Sequence, residues 1–269
     1  VSAVKQIGSF KEDTNLVAKI ISDTSVELNN FIISEVIKNS IDDKQSLSAR
    51  VLNAVSEINS EKIETFSNEN KTSIIDQMTQ VAFDQDQGLI EEQEDMSNIV
   101  SNIIMSTEIE TSTEVISSLA KFLEDIDSKL SLKVLDNLSK NDNFEDKLEI
   151  VSEQSLIDSD NVQKLIEGAI NSIDKNSELE IIKNIIIESD KFLINEILEI
   201  SEKTNQENKI KIDKIIDKII DEDPIKIKKI IDKEKEKEKE KEKEIVKEKP
   251  KPKKIKEIED VIPENVSPN

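Results

Sequence analysis

From residue 24 to residue 203 apolar side chains recur at steps of three and four, a period that favours α-helix over strand. After Thr24 come Val26, Leu28, Phe31, Ile32, Val36 and Ile37; after Thr111 come Val115, Ile116, Leu119, Phe122 and Leu123. Asp142 precedes Phe144, Leu148, Ile150 and Val151; Asp160 precedes Val162, Leu165, Ile166, Ala169, Ile170 and Ile173; Asp190 precedes Phe192, Leu193, Ile197, Leu198 and Ile200. Each set lays one apolar stripe along one helix face. The same spacing predicts helices over 47–58, 73–83, 96–105 and 129–138. Only 3 Gly and 5 Pro occur in 269 residues, too few for the tight turns of an all-β or dinucleotide-binding fold. The predicted class is all-α: an array of short antiparallel helices, as an α-solenoid or an irregular helical bundle.

Six sites have the form of a capping box, Ser, Thr or Asp followed three residues later by Glu: Ser9/Glu12, Thr24/Glu27, Thr111/Glu114, Asp142/Glu145, Ser177/Glu180 and Thr204/Glu207. Helix starts recur about every 13–17 residues, which predicts helices of about 11–14 residues and a paired unit of about 30. Apolar spacing thins over 57–70. Residues 85–95, with Gly88 and a cluster of acids, read as a loop and a possible subdomain break. The expected organisation is N-terminal helical repeats over 1–84, that acidic loop, C-terminal helical repeats over 96–232, and a low-complexity tail over 233–269. The isoleucines of 178–188 wrap more than half a helix, which predicts a helix sandwiched between neighbours. Asp223-Pro224 has the form of a helix stop and restart.

Charge divides the chain. Residues 1–203 hold 41 acidic and 18 basic side chains, a net charge of −23, whereas 225–256 is basic by +7. An acidic body of this kind repels nucleic acid and anionic membrane. The strict Lys/Glu alternation of 233–244 places like charges four apart and offers no apolar face, which predicts a frayed helix or disordered coil. Lys249-Pro250-Lys251-Pro252 then favours extended chain. Weak contact of this tail with anionic surfaces is an expectation of its local charge. Arg50 is the sole arginine, so bidentate phosphate recognition has little to work with. No run approaches the length of a membrane span or resembles a secretory signal. The first residue is Val1, from which processing or an excerpt of a longer protein is expected.

The chemistry open to this chain is narrow. With no Cys, His, Trp or Tyr, it has neither thiol nor imidazole, and no zinc site or catalytic triad of the usual residue types can be built. Gly8, Gly88 and Gly168 stand alone, so no phosphate-cradling loop is present. The one metal-like run is Asp84-Gln85-Asp86-Gln87-Gly88, an alternation of oxygen ligands with a nearby glycine. A calcium loop wants glycine at position six and glutamate at twelve; here glycine falls at five and Asp95 at twelve. Asp84, Asp86 and Asp95 are the only metal candidates, and no cofactor is expected.

The run Ser112 to Lys140, STEVISSLAKFLEDIDSKLSLKVLDNLSK, resembles the short-helix hairpin repeats of the intracellular domain of MgtE-type magnesium transporters and of flagellar FliG-like proteins. It also resembles helical repeat stretches of bacterial envelope proteins carrying FecR-like domains. The likeness covers residues 24–203 and implies architecture alone. Together these readings predict a non-catalytic helical-repeat scaffold whose partner is a protein. The alternatives are a structural spacer of a larger surface, envelope or phage-type protein, and an acidic calcium-binding module.

Overall fold

The computed structural model describes residues 14–222, except 44–46, 92–93, 124–128, 155–159, 175, 190–191 and 205. Among the described residues there are thirteen α-helices and no strand. They are α1 (Thr14–Asp23), α2 (Val26–Asp43), α3 (Leu47–Asn59), the single turn α4 (Glu61–Glu64), α5 (Asn68–Asp86), α6 (Met96–Ser106) and α7 (Ile109–Leu123). Then follow α8 (Leu130–Ser139), α9 (Phe144–Gln154), α10 (Asp160–Asn171), α11 (Asn176–Glu188), α12 (Phe192–Lys203) and α13 (Gln206–Glu222). The sequence-predicted tail, the pair Ser9/Glu12 and Asp223-Pro224 lie outside the described residues.

Most of the apolar stripes become the core. Of the stripe predicted on α2, only Ile32, Val36 and Ile37 are buried while Val26, Leu28 and Phe31 are exposed, and Ile150 of α9 is exposed as well. On α7 the burial falls on Val115, Ile116, Leu119 and Ala120; on α10 on Val162, Leu165, Ile166, Ala169 and Ile170. These faces pack in a regular order. One row runs α1, α3, α6, α8 and a second runs α2, α5, α7, α9, each helix resting on the next of its row. Beyond them α10 packs on α7, α8 and α12, and α11 packs between α8 and α13. The Ile-rich face of α11 is thus sandwiched: Ile182, Ile185 and Ile186 are buried. The substantial contacts among described helices all join elements within three places of one another in chain order, the pattern of a nearest-neighbour array.

The spacing of that array is longer than the sequence suggests. Hydrogen bonds between packed elements join residues 38, 40, 39, 40, 40 and 40 apart, at Lys62–Thr24, Asn70–Asn30, Thr79–Ser118, Asn137–Ser97, Lys147–Thr107 and Lys211–Asn171. The long-range bonds between elements span 33 to 49 residues in all, so the spacing centres on about 40 rather than 30. The extra length sits in long helices, 18 residues in α2 and 19 in α5, and in the α4 turn that fills the thin stretch 57–70.

Helix ends differ from the sequence reading in an informative way. The four amides that open a helix and the four carbonyls that close it need partners from elsewhere. In this chain many come from another element of the array rather than from a local box. At N-termini, Asn30 accepts from the Ser67 amide (2.6 Å), Glu64 from Glu108 (3.3 Å), Asp86 from Lys129 (2.9 Å) and Glu145 from Leu193 (3.1 Å). At C-termini, lysines donate to free carbonyls: Lys62 to Thr24 (2.9 Å), Lys147 to Thr107 and Lys211 to Asn171 (2.9 Å). Carboxylates at helix starts and ammonium groups at helix ends both match the helix dipole.

The predicted capping boxes are replaced accordingly. The Thr24 hydroxyl donates back to the carbonyls of Ile20 (2.8 Å) and Ile21 (3.2 Å), closing α1 rather than opening α2. Thr111 and Ser177 lie inside their helices, Asp142 stands two residues before its helix, and the Thr204 hydroxyl has no partner among the described residues. Local side-chain caps among the described residues include Ser67, which accepts from the Asn70 amide, and Asp95, which accepts from Ser97.

The described residues all fall in one compact unit, Val1–Ile227. The stretch 85–95 does not interrupt it: α3 and α5 pack on α6, and α5 on α7, across that stretch. Gln85 staples the connection, donating to the Glu94 carbonyl (2.9 Å) and accepting from the Met96 amide (2.8 Å). No described helix is long and apolar enough to cross a membrane.

Candidate interaction surface

The three metal candidates are held apart by other duties. Gly88, at φ 68°, is the left-handed residue that ends α5: Leu89 donates to the Asp84 carbonyl (2.9 Å) and Gly88 to Gln85 (3.0 Å), the paired bonds of a Schellman motif. The glycine that suggests a calcium loop is thus a helix terminator. The Asp84 side chain accepts from Gln80 (2.8 Å) along the helix. Asp95 opens α6, accepting from the Ser97 amide (3.0 Å) and hydroxyl (2.7 Å). Asp86, its side chain 4% exposed, accepts from the Lys129 amide at the start of α8 and pairs with Lys133 at 2.7 Å. No group of three or more acids among the described residues is placed to hold a metal ion.

The role of Asp86 gives a direct test. Asp86→Ala is expected to lower stability by about 2 kcal/mol, since a buried charge-assisted bond and an amide cap are lost together. Asp86→Asn should lose about half of that, because its amide oxygen still accepts from Lys129. Urea unfolding of both variants checks this; equal losses would deny the cap.

A polar cluster among the described residues links α4, α5 and α7, with Lys147 of α9 beside it. Glu64, the last residue of α4, accepts from the Thr111 hydroxyl (2.8 Å) and the Glu108 amide, and faces the Lys71 ammonium at 3.5 Å. Lys71 itself is only 4% exposed. Glu114 shares this surrounding: burial raises its carboxyl above the ordinary range, Lys71 opposes the rise, and Glu110, Glu64 and Asp76 add to it. Its Oε2 is buried and has no hydrogen-bond partner among the described residues. From α9, Lys147 donates to the Thr107 carbonyl; burial lowers its ammonium against the pull of Glu64 and Glu108. Beside the cluster, Ser118 donates to Asp76 (2.8 Å) and shares a hydrogen bond with Thr79 (2.7 Å).

Sequence reasoning passed over Glu64, Lys71, Glu114 and Lys147 as sites. One signal was present: Lys71 occupies the stripe completed by Ile74, Ile75, Met78 and Ala82, and a lysine on a buried stripe needs a carboxylate across from it. A smaller ionic link closes the C-terminal end. Lys183 and Lys218 both donate to Glu180, joining α11 to α13 and holding that carboxyl down to about 2.

Two features face outward. A groove of about 200 Å³ between α10 and α12 is lined by Gln163, Lys164, Glu167, Ile200, Lys203 and Thr204. On α9 the inward stripe is Phe144, Leu148 and Val151, and the opposite side carries Asp146, Glu149 and Glu153 around Ile150, which is 42% exposed. Asp142, just before the helix, is exposed as well. None of these four acids has an ion pair or side-chain hydrogen bond among the described residues. Like charges three and four apart on a helix repel, so the strip sets unrelieved charge around an exposed isoleucine.

Compared with known protein families, curated proteins and solved structures, the chain matches none.

Proposed function

We propose that this protein is a non-catalytic helical-repeat scaffold that binds another protein, with the outer face of α9 as a docking strip for a basic partner. The observation that supports this reading is the strip itself: Asp146, Glu149 and Glu153 are exposed and unpaired among the described residues on a helix whose other side is anchored in the array, with Asp142 exposed just before it. A cationic surface brought against them removes the repulsion along the helix and adds an attraction that steers association. Ile150 supplies an apolar contact at the centre, where water exclusion strengthens the surrounding charge pairs. The body's net negative charge extends the same field over a wider surface.

The test immobilises the full chain and measures saturable capture from its source lysate, with the tail alone as control. Asp146→Lys, Glu149→Lys and Glu153→Lys together are expected to weaken the captured partner by about tenfold or more. Helical content and the urea midpoint should change little, since the changes are exposed and replace one set of like charges by another. A partner that binds the reversed chain equally well would place the interface elsewhere. Capture no greater than that by the tail control would favour the spacer reading.

A further inference from the structure

We propose that the junction of α4, α5 and α7 is a proton-operated joint, in which Glu114 takes up a proton on mild acidification and α5 and α7 are then held together more firmly. The geometry is that of one buried ammonium serving too many carboxylates. Lys71 is committed to Glu64, which is in turn fixed by the Thr111 hydroxyl and the Glu108 amide. Asp76 is engaged by Ser118, and Lys121 reaches it at 3.8 Å from the surface. Glu114 is left with one oxygen sealed from water and without a donor among the described residues. An ionised carboxylate in that position lacks both hydration and a hydrogen bond for that oxygen, whereas the neutral acid lacks little.

The charged groups around it agree. From α5 come Lys71 and Asp76, from α4 Glu64, and from α7 itself Glu110. The packed face of α6 brings no ionisable residue, since Met96–Ser106 contains none. From α9, Lys147 is turned to Thr107 and feels Glu64 and Glu108; from α10, Lys164 and Glu167 line the groove against α12. Burial disfavours the charge of Glu114, Lys71 favours it, and Glu110, Glu64 and Asp76 disfavour it further. The Glu114 carboxyl is raised, so the penalty of its charge is full above the folded-state value and disappears as pH falls through it. This is opposite in sign to an ordinary ion-paired carboxylate.

Hydrogen exchange of the full chain tests this, with rates corrected for intrinsic pH dependence and measured at about pH 7 and about pH 5. Protection of α5 and α7 amides is expected to rise about five- to tenfold on acidification in the natural chain. In Glu114→Gln and Glu114→Leu it should already be high at the upper pH and change less than about twofold. Glu202→Gln, which removes an exposed charge from α12, should behave as the natural chain does. The proposal is overturned if both Glu114 variants keep the full pH response, or if the natural chain shows none.

Discussion

Lys71→Met is expected to lower the stability of the array by about 3–5 kcal/mol at neutral pH. Methionine keeps the unbranched stem that packs along α5, so the loss isolates the ammonium. That ammonium is buried, and it faces Glu64 at 3.5 Å with Glu114 nearby. Without it the junction holds several carboxylates and no cation from α5. An uncompensated buried charge costs far more than a surface pair is worth. Against a typical total of about 5–15 kcal/mol, such a loss is severe. The deficit should shrink on acidification, because the stranded carboxyls can then neutralise. Urea unfolding at about pH 7 and about pH 5 reads both effects. Adding Glu64→Gln to Lys71→Met should recover part of the loss, since the pair is directly coupled. A loss under about 1 kcal/mol would mean that water reaches Lys71 and Glu64 and that the pair behaves as a surface one.

The helices were legible in the sequence because their cause is local. A stripe such as Val115, Ile116 and Leu119 specifies both a helix and the face it buries, and the structure buries that face. The isoleucines of α11 announced a two-sided environment in the same way. The helix ends were not legible, because their cause lies about 40 residues away. Glu145 has the spacing of a capping-box glutamate, yet its carboxylate serves the Leu193 amide at the start of α12. Lys147 and Lys211 look like surface lysines and close α6 and α10. A sequence window holding one helix cannot reveal a bond to the next member of the array.

The metal-like run is ambiguous in the sequence for a related reason. Alternating Asp and Gln followed by Gly is a fair ligand pattern for calcium, but the same letters also end a helix. Which reading holds depends on whether the glycine's positive φ terminates α5 and on whether Lys133 stands opposite Asp86. Neither is a property of residues 84–88. The spacing of about 40 residues is not legible in the helix starts, because pairing evenly spaced starts assumes equal helices. The long α2 and α5 and the α4 turn break that assumption.

Leu119→Ala is expected to cost about 3–5 kcal/mol, and the pattern of the damage carries more information than its size. Leu119 is fully buried on α7, and α7 packs on α5, α6, α9 and α10. The cavity is closed in on several sides, so little relaxation can reduce it. In a single cooperative core the loss would appear equally in every helix. Here each helix packs substantially only on neighbours within three places, so the coupling between distant helices is the product of several interface steps. Hydrogen exchange of the variant should therefore show the greatest loss of protection in α5, α6, α7, α9 and α10. The first helix, α1, and the last, α13, should change by less than about threefold. Ile150→Ala, on the exposed side of α9, should stay within about 0.5 kcal/mol of the natural chain and serves as the control. A uniform loss from α1 to α13 would mean that the interfaces are strong enough to make the whole array one folding unit. In that case the trans-caps from Asn30, Glu64, Asp86 and Glu145 are the bonds that bind it into one, and removing any of them should lower protection at both ends.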